Sequence, residues 1–502
     1  MSQKYILAVD QSTGGTKAII FDSQGNLVHR CTENHQQFYP QPDWVEHDPD
    51  EIFEKTLLAI KNVLAQSGIE LAKIAALAIT NQRETVAVWD RKTSKPVYNA
   101  VVWQCQRGAE SCKILKQKGY GEIVKAKTGL LIDPYFSATG LKWIVENVEG
   151  VREKAEAGEL AFGTMDSWLI WKLTGGKVHA TDYSNACRTM LFNIYELKWD
   201  QELLDLMGLH ESMTPEVKYS DDIFGYTEVN DVLNREIPIT GVMGDSHAAL
   251  FGQNCYAKGM AKATYGTGSS IMMNIGKKPM KSPEGLVTSI GWGCRGEIDY
   301  VLEGNIHCTG DSIKWLVNDL ELIPDAVVSE KIATSVDDNN GVYMVPAFVG
   351  LGAPYWDNSA RACISGMPRS TKKAHIVRAA LEAIAYQIKD LIDLMSNASG
   401  VGLKELRVDG GPTRNNFLMQ FQADMLNGII ERTNVEEVSA LGSTLMAGLA
   451  VGVWKDFTEL ESLRVVDKSF ESRMDSTIRE KYYRGWKEAV ERVLTSKKRI
   501  LV

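Results

Sequence analysis

Two short turns rich in Gly, Thr and Ser are the first features of this sequence that could do chemistry. One is Asp10–Lys17, which has the sequence Asp-Gln-Ser-Thr-Gly-Gly-Thr-Lys, and the other is Tyr265–Ser270, with the sequence Tyr-Gly-Thr-Gly-Ser-Ser. Turns of this composition let backbone N–H groups and hydroxyls approach an anion without an intervening Cβ, which suits a polyphosphate. One such turn would be interpreted as an ordinary hairpin, since Gly and Ser favour turns for conformational reasons alone. Two of them, each flanked by β-type sequence, favour phosphate binding.

Two acidic residues have the right setting for phosphoryl transfer to a hydroxyl group. That reaction needs a metal ion to neutralise charge between the β- and γ-phosphates and a carboxylate to take the proton from the attacking hydroxyl. Asp10 ends one short apolar run and Asp245 ends another. The Walker pattern, the dinucleotide-binding fingerprint and the protein-kinase signatures do not occur in the sequence. The chemistry therefore points to a nucleotide site of another type.

Strand-like runs place these residues at the ends of β-strands. The four runs are Ile6–Asp10, Ile74–Thr80, Ile237–Asp245 and Leu406–Gly411. Stretches with helical period lie between them, the clearest being Val377–Met395, whose apolar residues recur at three- and four-residue spacing and predict a core helix. The alternation favours an α/β fold, in which ligands bind beyond the carboxyl ends of the strands.

The length of the chain predicts two domains around a cleft. A chain of 502 residues, 44% hydrophobic and 24% charged, exceeds what one core usually supports. The two similar turns are a weak internal repeat, as two related half-molecules would produce. We place the boundary at residue 252, which gives domains 1–252 and 253–502.

Charge and cysteine content exclude several classes of partner. The formal charge is −9, with acidic and basic residues intermingled, so nucleic acid is not expected as a partner. The eight cysteines form no CxxC pair, which predicts neither a zinc site nor a redox motif and fits a reducing cytoplasm. The N-terminal apolar run is too short for a signal peptide, and no stretch reaches membrane-spanning length, so membrane insertion is not expected.

Several longer motifs occur in one order along nearly the whole chain. They are Asp10–Lys17, Trp44–Pro49, Asn81–Thr85, Trp103–Cys105, Asp133–Phe136, Tyr265–Gly268, Gly350–Asp357 and Asn415–Gln422. Through them the chain resembles the FGGY carbohydrate kinases, and most of all the glycerol kinase branch of that family. The resemblance implies two ribonuclease H-like domains of the actin-like ATPase type, with an interdomain catalytic cleft. It also implies that the N-terminal domain holds most of the substrate site and that the C-terminal domain binds most of the ATP.

The resemblance further implies a reaction and a set of residue roles. The reaction is ATP-dependent phosphorylation of a terminal hydroxyl of a small polyol or sugar, with Mg²⁺ as the metal. Asp245 would be the general base, and Asp10 and Asp245 would be the metal residues. The implied ATP-binding residues are Thr13, Gly14, Lys17, Gly266, Thr267, Gly310, Gly411 and Asn415. The implied substrate-binding residues are Arg83, Glu84, Trp103, Tyr135, Asp245, Ser246 and Ser270. Family members are commonly homo-oligomers, so a homo-oligomer is expected.

Two departures from the glycerol kinase pattern leave the substrate open. Ser246 stands where glycerol kinases typically carry Gln, and Ser270 stands where they carry Phe. Smaller side chains leave room for a larger substrate, such as a tetritol or the ketopentoses xylulose and ribulose. A non-enzymatic actin-like ATPase is a remote alternative, because such a protein would not need the polar and aromatic residues Arg83, Glu84 and Trp103.

Overall fold

The computed structural model describes residues 4–229, 231–433, 435 and 437–495. The strands of the first half are β1 (Tyr5–Ser12), β2 (Gly15–Asp22), β3 (Leu27–Asn34), β4 (Glu46–His47), β5 (Ile74–Asn81), β6 (Val86–Asp90), β7 (Ala100–Val101), β8 (Leu160–Thr164), β9 (Ala180–Asp182), β10 (Phe192–Asn193), β11 (Lys198–Trp199), β12 (Glu216–Lys218) and β13 (Ile239–Gly244). Its helices are α1 (Pro49–Ser67), α2 (Ala109–Gln117), α3 (Gly121–Thr128), α4 (Ser137–Asn147), α5 (Val151–Glu156), α6 (Met165–Leu173), α7 (Tyr183–Ala186), α8 (Gln201–Met207) and α9 (Asp245–Gly252).

The second half alternates strands and helices in the same manner. Its strands are β14 (Met260–Tyr265), β15 (Ser269–Gly276), β16 (Val287–Cys294), β17 (Glu297–Ile306), β18 (Tyr343–Val345), β19 (Cys363–Ser365), β20 (Glu405–Asp409), β21 (Ile429–Arg432) and β22 (Lys468–Glu471). Its helices are α10 (Gly310–Asn318), α11 (Val328–Ala333), α12 (Lys373–Ser399), α13 (Asn416–Leu426), α14 (Val438–Ala450), α15 (Phe457–Ser462) and α16 (Ser476–Val493). Single turns of 3₁₀ helix span Leu71–Lys73, Glu211–Met213 and Gly411–Arg414.

Each half is built around one large sheet of the same design. The first sheet has the order β13-β5-β1-β2-β3, and the second has the order β16-β17-β15-β14-β20-β21-β22. In the first, β1 pairs antiparallel with β2 and parallel with β5. In the second, β14 pairs antiparallel with β15 and parallel with β20 in the same way. The α/β class is confirmed, and the weak repeat in the sequence corresponds to two equivalent hairpins, β1–β2 and β14–β15.

Local sequence explains why these elements begin and end where they do. Strand β1 is apolar over Ile6–Val9 and buried along that run, as expected of a strand at the centre of a covered sheet. Helix α1 begins after Asp48, whose side chain accepts a hydrogen bond from the backbone N–H of Asp50, and ends at Gly68 with φ 66°. The predicted core helix is present as α12, which is longer than the sequence indicated.

Helix α14 belongs to the second half of the chain but packs on the sheet of the first. It contacts β1, β5 and β13 and lies against α9. A Cβ on Gly442 would lie 1.8 Å from the carbonyl oxygen of Ala248, so glycine is required for this close approach of the two helices. Helix α14 therefore links the two halves of the chain, and the boundary at residue 252 stays a prediction.

Two further features of the structure are the length of its apolar helices and the state of its cysteines. Within the part of the chain that the structure describes, no helix is long and apolar enough to cross a membrane. All eight cysteines are free thiols; seven of them are buried, and Cys363 is partly exposed.

Candidate active site

The β1–β2 hairpin carries the first of the two turns and places a buried carboxylate beside it. Asp10 lies on β1 directly opposite Lys17 on β2. The Lys17 Nζ lies 3.7 Å from Asp10 Oδ2 and 2.7 Å from Glu437 Oε2, at the start of α14. Burial raises the pKa of Asp10 to about 6, although the charge of Lys17 opposes that rise. Asp10 is therefore a carboxylate whose negative charge is poorly compensated by the protein, as a cation-binding residue would be.

Asp245 begins α9 immediately after strand β13 ends. Its side chain remains 39% exposed, and its Oδ1 lies 3.3 Å from Arg83 Nε. The same oxygen accepts a hydrogen bond of 2.6 Å from the backbone N–H of Ser246. The charge of Asp245 also contributes to the raised pKa of Asp10. An accessible carboxylate held at a strand end can accept a proton from a bound hydroxyl.

A cavity of about 340 Å³, which we call the carboxylate cavity, opens between the two sheets at Asp245. All seven residues that the resemblance implies for substrate binding line it: Arg83, Glu84, Trp103, Tyr135, Asp245, Ser246 and Ser270. Thr13 of the first turn also lines it, together with Gly268, Ser269, Asn305 and Ile306. The carboxylate cavity is thus continuous with the first turn, Asp10–Lys17, and with the end of the second turn, Tyr265–Ser270.

The apolar wall of the carboxylate cavity is fixed by hydrogen bonds. Trp103 donates from Nε1 to the Thr13 hydroxyl at 3.0 Å, and that hydroxyl donates to Gln82 Oε1 at 3.3 Å. The rings of Trp103 and Tyr135 pack edge to face with centroids 5.6 Å apart. This contact locks both aromatic side chains, so the cavity has a preformed shape before any ligand binds.

The floor of the carboxylate cavity is a buried charge cluster that the sequence did not reveal. Arg83 donates from both terminal nitrogens to Glu303, and Arg188 donates from Nε to Glu84 Oε1 at 2.6 Å. Glu84 itself has φ 63°, a strained conformation for a side chain of this size. The sequence did contain one indication of this cluster, because Glu303 interrupts the apolar sequence of strand β17. Charged residues in buried strands are rare unless they are paired.

A second cavity of about 520 Å³, which we call the apolar cavity, lies in the second half of the chain. Five of the residues implied for ATP binding line it: Gly266, Thr267, Gly310, Gly411 and Asn415. The other three, Thr13, Gly14 and Lys17, lie on the β1–β2 hairpin. Sequence reasoning missed the apolar wall, which includes Ile313, Leu381, Ile384 and Leu418, and the polar residues Lys314 and Glu330.

Glycines bring three chain segments together at the mouth of the apolar cavity. A Cβ on Gly310, the first residue of α10, would lie 2.7 Å from the Gly266 carbonyl oxygen. Gly410 has φ 96°, and a Cβ there would lie 2.0 Å from the carbonyl oxygen of Tyr265. Asn415 caps helix α13 by accepting a hydrogen bond of 2.9 Å from the Leu418 N–H. The backbone of the second turn is therefore exposed to a ligand at close range.

Asp10 on the first hairpin and Asp245 at the start of α9 fit a magnesium ion better than a fully protein-bound metal. No group of three or more His, Cys, Asp or Glu residues that could hold a metal occurs in the described parts of the chain. Mg²⁺ is usually bound by one or two carboxylates together with substrate phosphates and water. Asp10 and Asp245 match that pattern.

Comparison with known proteins decides the family. The N-terminal domain of the FGGY family of carbohydrate kinases matches residues 5–252, and the C-terminal domain of that family matches residues 261–451. The chain belongs to the FGGY family of carbohydrate kinases. The predicted class of enzyme, an ATP-using phosphotransferase, is confirmed, and a non-enzymatic ATPase is disfavoured.

Curated relatives cover nearly the whole of this FGGY kinase. It is 55% identical over 491 residues to glycerol kinase 1 of Thermotoga maritima. That alignment covers 98% of this chain and 100% of the relative. It is 50% identical over 495 residues to the glycerol kinase of Bacillus subtilis. That alignment covers 99% of this chain and 100% of the relative. The resemblance to the glycerol kinase branch is thereby confirmed.

Solved structures confirm the predicted architecture of two actin-like domains. Plasmodium falciparum glycerol kinase with ADP superposes with a TM-score of 0.94 at 38% identity, covering 98% of this chain and 99% of that chain. A gluconate kinase from Lactobacillus acidophilus superposes with a TM-score of 0.88 at 21% identity, covering 99% of both chains. The second likeness shows that the fold extends beyond glycerol kinases.

Proposed function

We propose that this FGGY kinase transfers the γ-phosphoryl group of ATP to a terminal hydroxyl of glycerol. The relatives at 50% to 55% identity over nearly the full chain are glycerol kinases, which supports glycerol over other polyols. The observation that carries the proposal is the placement of Asp245, which lines a cavity that also contains Thr13 of the first turn. A hydroxyl bound there has a base on one side and the phosphate turn on the other.

Asp245 is proposed as the general base. Its carboxylate takes the proton of the attacking hydroxyl as the oxygen–phosphorus bond forms and the bond between the γ-phosphorus and the bridging oxygen breaks, releasing ADP. Arg83 Nε lies 3.3 Å from Asp245 Oδ1 and holds the carboxylate in its orientation. Arg83 and Glu84 supply a donor and an acceptor for neighbouring hydroxyls of the substrate, a combination that discriminates strongly against molecules lacking them.

Nucleotide binding is proposed to divide between the two hairpins. The apolar cavity holds the base and ribose of ATP, with Thr267, Gly310, Gly411 and Asn415 at its edge. Thr13, Gly14 and Lys17 contact the phosphates from the first hairpin. Asp10 and Asp245 would hold Mg²⁺, which neutralises charge between the β- and γ-phosphates when bound. The aromatic wall formed by Trp103 and Tyr135 helps to exclude water from the reaction.

A larger substrate remains a second candidate because of one observation. The Ser270 hydroxyl is buried and makes no hydrogen bond to any residue that the structure describes, and Ser270 lines the carboxylate cavity beside Ser246. A buried hydroxyl without a partner is costly, so a ligand hydroxyl would stabilise it. Erythritol, xylulose or ribulose could supply that group.

Initial rates of ADP release with glycerol, erythritol, xylulose and ribulose test the substrate. We expect the largest kcat/KM with glycerol, and a larger kcat/KM with a four- or five-carbon substrate would replace the proposal by the second candidate. Asp245→Asn should lower kcat by about 10²–10⁴-fold, because the proposed base and one of the two proposed Mg²⁺ residues are lost. ADP binding should be retained, because Asp245 does not line the apolar cavity. The exposed Asp337, changed to Asn, is the matched control. Near wild-type turnover by the Asp245 variant would contradict its assignment as the base.

We also propose that the enzyme is a cytoplasmic homo-oligomer. The free thiols support a reducing compartment. Native mass spectrometry would measure the oligomeric state directly.

A further inference from the structure

A cluster of four charged side chains connects the two halves of the chain beneath the carboxylate cavity. Arg83, Glu84 and Arg188 come from the first half, where they follow β5 and α7. Glu303 comes from β17, in the sheet of the second half. None of the four side chains is more than 5% exposed. A charge cluster this deeply buried must be internally compensated, because water cannot solvate it.

Glu303 is the centre of this cluster. Its Oε1 accepts from Arg83 Nη2 at 2.9 Å, and its Oε2 accepts from Arg83 Nη1 at 3.1 Å. The same Oε2 lies 2.8 Å from Arg188 Nη1, which also donates to the Ser289 hydroxyl at 2.8 Å. The two-point contact fixes the plane of the Arg83 guanidinium as well as its position.

The charges of the cluster balance only when Glu303 is included. Arg83 and Arg188 carry two positive charges, and Glu84 and Glu303 carry two negative charges. Burial alone would raise the pKa of Glu303, but Arg188 and Arg83 hold it well below its ordinary value, so Glu303 is ionised. Asp245, whose Oδ1 lies 3.3 Å from Arg83 Nε, stands outside this balanced set of four charges.

We propose that Glu303 is a positioning residue through which the nucleotide half of the enzyme completes the polyol site. It holds Arg83 in the orientation that binds substrate hydroxyls and keeps that guanidinium from forming a closer ion pair with Asp245. The substrate site is therefore assembled only when the second sheet lies against the first. This inference rests on the proposed function and adds a residue from the opposite half to the polyol site.

Removing the charge of Glu303 has a specific consequence. Arg83 then has Asp245 at 3.3 Å and Glu84 at 3.9 Å as its remaining carboxylate neighbours. We expect the guanidinium to move toward Asp245, where it competes with the substrate hydroxyl for the base. Glu303 does not line the apolar cavity, so nucleotide binding should be unaffected.

The test compares Glu303→Gln with Glu297→Gln, which removes the same charge from the exposed end of the same strand. A lost hydrogen bond to a charged group corresponds to about a tenfold to hundredfold effect, so we expect KM for glycerol to rise by that factor in Glu303→Gln. KM for ATP and the affinity for ADP should stay within about twofold of the wild type. Glu303→Asp, which keeps the charge, should recover part of the glycerol affinity, and Glu297→Gln should behave as wild type.

An unchanged KM for glycerol in Glu303→Gln, or equal increases in the KM values for glycerol and ATP, would overturn the inference. If Glu303→Gln does not fold, Arg188→Lys provides the second variant, since it keeps the charge but cannot contact Glu84, Glu303 and Ser289 together. Its KM for glycerol should also rise, and an unchanged value would count against the inference. Failure of the wild type to phosphorylate glycerol would instead contradict the proposed function, so the two failures are distinguishable.

Discussion

Replacing Asp10 with Asn should make the enzyme inactive and more stable. Asp10 is buried, and burial raises its pKa from 3.8 to about 6 despite the neighbouring Lys17. At neutral pH the buried, ionised carboxylate therefore lowers the free energy of unfolding. An amide of the same size carries no charge and removes this destabilisation. The side chain is proposed to hold Mg²⁺, so turnover should be lost in the same variant.

The sign and size of the effect follow from linkage. The folded pKa of Asp10 lies above the unfolded value, so the folded chain binds more protons between pH 3.8 and about 6. The stability that Asp10 contributes is present below pH 3.8 and is lost as the pH rises through 6. A difference of about two pKa units corresponds to about 3 kcal/mol. Asp10→Asn should thus be more stable than the wild type by up to about 3 kcal/mol at pH 7, by about half of that at pH 5 and by about 0.5 kcal/mol at pH 4.

Thermal unfolding at pH 4, 5, 6 and 7, without nucleotide or Mg²⁺, measures this effect. Ligands are left out because they would stabilise the wild type selectively. The difference in Tm between variant and wild type is the relevant quantity, since other buried acids such as Asp166 and Glu382 titrate in both proteins and cancel. Asp337→Asn, at an exposed position, is the control and should show no difference. A variant less stable than the wild type at pH 7, or a difference independent of pH, would refute the reasoning.

Two further predictions concern metal and nucleotide binding. The pKa of Asp10 is about 6, so its protonation should weaken the apparent Mg²⁺ affinity about tenfold between pH 7 and pH 5. The affinity is measured by titrating the rate with Mg²⁺. An Mg²⁺ affinity that does not change over that pH range would show that Asp10 is not a ligand. Asn415→Ala should cost about 1 kcal/mol of stability through loss of the α13 cap and should also weaken ADP binding in calorimetry. Unchanged ADP affinity would leave Asn415 with the capping role alone.

The sequence predicted those parts of the site whose chemistry is encoded locally. A Gly/Thr/Ser turn and an acid at a strand end can be recognised from a few adjacent residues, and such motifs indicated Thr13, Asp10 and Asp245 as candidates. The structure brings the seven residues implied for substrate binding to one cavity, although they come from widely separated segments. Their individual roles stay predictions until the variants are assayed.

The buried cluster beneath the cavity could not be predicted in the same way. Glu303 and Arg188 lie 115 residues apart by number, and they interact only because the second sheet packs against the first. A charged residue taken alone is expected at the surface, so its burial becomes meaningful only when its partners are known. The sequence alone could have identified Glu303 as an unusual residue within an apolar strand. It could not have identified the arginines that neutralise Glu303.

The charge at the first turn also depends on a residue from the second half of the chain. Lys17 contacts Glu437, which lies 420 residues later and precedes α14, the helix that packs on the first sheet. The Ala- and Gly-rich sequence of α14 indicates a close-packed helix, but its partner is identified only by contacts such as Gly442 against Ala248. Because Glu437 shares Lys17 with Asp10, it reduces the compensation that Asp10 receives and helps to keep that pKa raised. The raised pKa of Asp10 is therefore a property of the two assembled halves of the chain rather than of the hairpin motif alone.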